Sequence, residues 1–109
     1  MSDIETVQDK LNLLKDKYIS SLPQKVTDIC HEWDSCKASN EITERTLESH
    51  LHKLAGSAGM YDLYDLGEKA RALELTIMQP ENPLTEEAIM SFETDLKQLK
   101  NMVTDLRQE

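Results

Sequence analysis

Residues His50 to Gly59 read HLHKLAGSAG, and whether this stretch is helix decides the fold. Leu47, Leu51, Leu54 and Ala58 recur at the spacing of one helix face. Gly56 and Gly59 oppose that reading, because a glycine inside a helix costs about 1 kcal/mol relative to alanine. At about 100° per residue the leucines share a narrow arc, and His52 lies about 130° from its centre, towards solvent. Ala55, Gly56 and Gly59 follow His52 at three, four and seven residues, on its own face and not the leucine face. The spacing therefore predicts one helix, roughly Thr43 to Gly59, with a packing face and an outer face cleared around a histidine.

Four more helices are predicted around it. The first, roughly Ser2 to Ile19, carries Ile4, Val7, Leu11, Leu14 and Tyr18 on one stripe, with Ser2 and Glu5 forming a capping box. "SSLPQ" breaks that pattern. Ser21 and Pro23 suit the first turn of a second helix, roughly Leu22 to Ala38, with Leu22, Val26, Ile29, Trp33 and Cys36 inward. A fourth, about Asp62 to Met78, places Leu63, Leu66, Ala70, Leu73 and Ile77 on its apolar face. "QPENP" (Gln79 to Pro83) forbids continued helix. Thr85 then caps a fifth helix whose stripe runs Ile89, Phe92, Leu96, Leu99, Val103 and Leu106. The expected architecture is all-α: an antiparallel up-down-up-down four-helix bundle with an additional N-terminal helix packing along it or capping one end.

The 109 residues, 39% hydrophobic and 30% charged with three glycines and three prolines, read as a single domain, 1–109, without strand signals. A formal charge of −9 argues against nucleic acid and against an anionic membrane surface. It favours a soluble monomer. No apolar run approaches the about 20 residues that span a bilayer, and the polar start MSDIETVQDK is no signal peptide. Cys30 and Cys36 point about 240° apart on one helix and cannot bridge each other. Two unpaired thiols suit the cytoplasm.

The chemistry rests on His52. His50, about 70° from the centre of the leucine arc, reads as a boundary residue, and His31 as ordinary surface. General acid–base catalysis wants a pocket and a second group, and a metal wants a ligand at the position Gly56 occupies. Neither an enzyme nor a metal site is supported. Nucleophilic use fits better, because a neutral imidazole can accept a phosphoryl group when its other nitrogen is held as N–H. In a hairpin turning near Met60 to Asp62, Glu74 reaches the level of His52 and could hold that proton. Two alternatives stay open: the small residues mark tight helix packing, and Glu74 is a surface residue pairing with Arg71.

HKLAGSAG at His52 to Gly59 resembles the histidine-containing phosphotransfer (HPt) domain, whose motif is close to H-x-L-K-G-S-[AS]. YISSLPQKV (Tyr18 to Val26) and YDLYDLGEKARALE (Tyr61 to Glu74) extend the resemblance over nearly the whole chain. The resemblance implies a phosphorelay histidine phosphocarrier without kinase activity of its own. His52 would accept phosphate from the aspartate of a response-regulator receiver domain and pass it to another receiver, with a hybrid sensor histidine kinase upstream. It implies no cofactor on this chain, the Mg²⁺ being brought by the receiver. Glu74 falls where the family orients its histidine. The family's lysine three after the histidine is Ala55 here, so Lys53 and Arg71 are the candidates for holding a phosphoryl oxygen. Docking is expected on Glu48, Ser49, Ala55, Gly56 and Gly59, with part of the first or second helix. The alternative function is a non-catalytic interaction module that docks a receiver or sensor kinase without transferring phosphate.

Overall fold

A single helix, α1 (Asp3–Ser39), runs straight through Pro23. The computed structural model describes residues 3–39, 46–78 and 85–107. They form this helix and three others: α2 (Thr46–Met60), α3 (Tyr64–Ile77) and α4 (Glu86–Arg107). The expectation of two helices broken at SSLPQ is thus corrected to one. Proline inside a helix removes a hydrogen bond and costs about 3 kcal/mol, and tertiary anchors on both sides of it outweigh that cost. Before Pro23, the Tyr18 hydroxyl bonds Ser57 at 2.6 Å and its ring stacks on Tyr61 at 4.5 Å. Leu22 immediately before it and Val26 and Ile29 after it are all buried. Ser21 also donates to the Tyr18 carbonyl at 2.6 Å, one turn back.

The additional N-terminal helix is corrected with it. Val7, Leu11 and Leu14 are 56%, 54% and 49% exposed, so their stripe neither packs along the bundle nor caps it. Length is the physical reason. With 37 residues α1 extends about 55 Å, against about 22 Å for the 15 residues of α2. Its first turns overhang, and the molecule measures 59 × 24 × 19 Å. Ser2 and the Glu5 side chain, the expected capping box, lie outside the described residues, as do QPENP and the start expected at Thr43.

The core is otherwise where the periodicity puts it. Leu22, Val26, Ile29, Trp33 and Cys36 of α1 meet Leu47, Leu51, Leu54 and Ala58 of α2, Leu66, Ala70, Leu73 and Ile77 of α3, and Phe92, Leu96, Leu99 and Val103 of α4. Neighbours pack in chain order, and α4 closes back on α1. There Trp33 stacks on Phe92 at 4.0 Å and donates its indole N–H to Glu93 at 3.4 Å. Lys37 pairs with the same carboxylate at 2.7 Å, and that bond holds Glu93 below the usual carboxylate range. Thr85 caps α4 by accepting the Ala88 N–H at 3.1 Å, as expected. Neither Cys30 nor Cys36 is in a disulfide. Among the described residues no helix is long and apolar enough to cross a membrane.

The α2–α3 turn sets the register of the site. Asp62 takes a left-handed φ of 62°, the Asp62 N–H donates to the Gly59 carbonyl at 3.3 Å, and the Leu63 N–H donates to the Ala58 carbonyl at 2.9 Å. That pair of bonds is the Schellman closure, with aspartate at the position glycine usually fills. The Asp62 carboxylate also accepts from the Tyr64 hydroxyl at 3.0 Å, which ties the turn to the start of α3.

Candidate functional site

Among the described residues Glu74 is the only charged one that is buried, 5% exposed on a helix whose other buried positions are apolar or glycine. An ionised side chain taken out of water needs a partner. Its partner is His52: Nδ1 lies 3.0 Å from Glu74 Oε2, across the α2–α3 hairpin. An ionised carboxylate oxygen only accepts, so the bond puts a proton on Nδ1, and in the neutral ring that leaves the lone pair on Nε2. The His52 side chain is 74% exposed while that of Glu74 is 6% exposed. The imidazole is gripped from below, and its free nitrogen faces outward.

The surface beside it is open. His52, Gly56, Gly59 and Arg71 line a shallow groove of about 340 Å³, with Tyr64, Gly67 and Glu68 along its α3 edge. A Cβ added at Gly56 or Gly59 would meet nothing within 4 Å, so neither glycine is required by packing. Tight packing occurs one helix over. A Cβ on Gly67 would stand 3.1 Å from the Ala55 carbonyl oxygen and 3.6 Å from the Ala58 methyl. Gly67, which sequence reasoning missed, lets α3 approach α2 closely enough for Glu74 to reach His52. The signal was a glycine inside a predicted helix, three before Ala70 on its apolar face.

The other expected residues divide. Arg71 shares the groove with His52. Lys53 does not, because it lines a separate cleft between α1 and α2 together with His50. Ser49 and Gly56 are exposed, whereas Glu48, Ala55 and Gly59 are half-buried. Ala55 packs against the core at the α2–α3 seam, so the cleared face is narrower than the helical wheel implies. His31 is exposed. Among the described residues no group of three His, Cys, Asp or Glu side chains could hold a metal ion.

The chain that presents this exposed imidazole over a buried carboxylate also matches a family model. The model of the Hpt domain matches residues 13–109. The chain belongs to the Hpt domain family. Hpt domains are histidine-containing phosphotransfer modules of two-component signalling, and they interact with receiver domains and histidine kinases. The Hpt match begins at Leu13, within the exposed part of α1. Neither the curated proteins nor the solved structures yield a match to this Hpt domain.

Proposed function

We propose that this chain is a phosphorelay carrier in which His52 Nε2 takes a phosphoryl group from a receiver aspartate and returns it to another receiver. The observation that carries this reading is the 3.0 Å bond from His52 Nδ1 to the buried Glu74, under an exposed Nε2. The Nε2 lone pair attacks phosphorus, the N–P bond forms, and the acyl phosphate P–O bond breaks to release the aspartate carboxylate. No proton has to move. Nδ1–H remains on Glu74, and the carboxylate offsets the positive charge that the phosphorylated ring acquires. Arg71, in the same groove, is the cation placed to meet a phosphoryl oxygen. In this reading Arg71 takes the part that the family's lysine would have at Ala55, which lines the same groove.

In this reading the chain has no kinase activity and no cofactor, and Mg²⁺ belongs to the receiver. Residues 1–109 act as one monomeric, cytoplasmic domain, an antiparallel bundle with Ser49, Gly56 and the neighbouring Glu48, Ala55 and Gly59 under the docked receiver. The test is incubation with a phosphorylated receiver. Label that is acid-labile and base-stable is expected on the wild type and absent from His52→Gln. Label persisting in that variant would sink the assignment. Receiver binding without any label would instead favour the non-catalytic interaction module.

A further inference from the structure

We propose that the cleft between α1 and α2 is an anion-binding surface that receives a carboxylate side chain of the docked receiver, an anchor beside the reaction and outside it. The inference rests on the phosphocarrier reading for its partner. Lys25 of α1 and His50 and Lys53 of α2 converge on a cleft of about 260 Å³ floored by Ile29 and Leu54. Among the described residues no carboxylate lines it. That is unusual for a chain with 21 acidic and 12 basic residues. Neither Lys25 nor Lys53 makes an ion pair among the described residues, so both charges are available to a partner. The wall is firm. Tyr18 bonds Ser57 at 2.6 Å, and Lys25 Nζ rests 5.9 Å from the Tyr18 ring centre.

The occupant follows from charge and continuity. Lys53 succeeds His52 on α2, about 100° further round, so a protein seated on His52 and Gly56 reaches the cleft's rim. A receiver that donates to His52 brings the negative charge of its phosphoryl group to this face, and a carboxylate beside that group would meet the two ammonium groups. A carrier of net charge −9 repels such a partner at long range. Two unpaired ammonium groups beside the nucleophile reverse the local sign and fix orientation, which is how charge contributes to specificity and encounter rate.

The experiment separates docking from transfer. Receiver affinity is titrated directly, and initial transfer rates are followed against receiver concentration, for wild type, Lys25→Gln, Lys25→Glu and Lys25→Gln/Lys53→Gln. The receiver used is the one that labels the wild type or, if none does, the one it binds most tightly. Lys25→Gln should weaken receiver binding about 3-fold and the double variant about 10-fold, with a shallower dependence on salt. Lys25→Glu should be worse than Lys25→Gln, while its plateau transfer rate stays that of wild type. Unchanged affinity and salt dependence in the double variant would overturn the proposal, with labelling of His52 left standing. A lowered plateau at unchanged affinity in Lys25→Gln would overturn it equally. If the wild type is never labelled, the phosphocarrier reading fails, and the titration alone decides the cleft.

Discussion

A buried carboxylate under an exposed imidazole makes Glu74 the residue whose loss should be most informative. Glu74→Ala frees both ring nitrogens, so phosphorylation of His52 should slow by about 10-fold or more with receiver affinity nearly unchanged. Glu74→Gln keeps an acceptor for Nδ1–H and should recover part of the rate, a distinction that a purely structural role would not produce. Glycines give a second pair of contrasts. Gly56→Ala places its Cβ in open space, so thermal denaturation should show a gain of about 0.5–1 kcal/mol. Gly56→Gln should also fold, yet transfer poorly because its side chain occupies the groove. Gly67→Val drives a branched side chain onto the Ala55 carbonyl and should destabilise by about 1–3 kcal/mol. Normal transfer by Gly56→Gln would show that the open face has no role in docking.

Elements differ in how far they could be read from the chain, and α1 was the hardest. Its inward residues from Leu22 onward were legible because burial imposes a helical period. Its continuity was not, because a proline's local cost is fixed whereas the anchors that outweigh it, Tyr18 to Ser57 and Tyr61, come from residues about 40 positions away. Pro23→Ala should therefore stabilise the protein, by about 1–3 kcal/mol in urea unfolding, without changing transfer. A loss of stability would mean the proline is needed for the shape of α1. The His52–Glu74 pairing was readable as a level match across a hairpin. The closeness that makes it a 3.0 Å bond depends on Gly67 facing backbone, which no single-helix wheel displays. The turn between α2 and α3 is testable in the same way. Asp62→Val should cost about 1–3 kcal/mol because a branched residue is strained at a φ of 62°.

Taken as a whole, the molecule has two ends of different character. The α2–α3 side holds the histidine, and the α1–α4 side holds the Lys37–Glu93 pair. Because Glu93 titrates lower in the folded state than unfolded, its contribution to stability is present above the ordinary carboxylate range. It is lost as acidification passes through the lowered value, and Glu93→Gln should flatten that part of an acid titration followed by circular dichroism. The overhang of α1 contributes little to the core, so deleting residues before Asn12 should shift the urea midpoint only slightly. Trp33, the one tryptophan of the chain, is 2% exposed and stacked on Phe92, and it lines neither the His52 groove nor the α1–α2 cleft. The protein thus carries its own optical gauge, dark to phosphate arriving at His52 but responsive when the bundle opens. Its emission should hold steady while a receiver loads the histidine and shift to longer wavelength only on unfolding, so the stability of the loaded and unloaded forms can be compared without a dye.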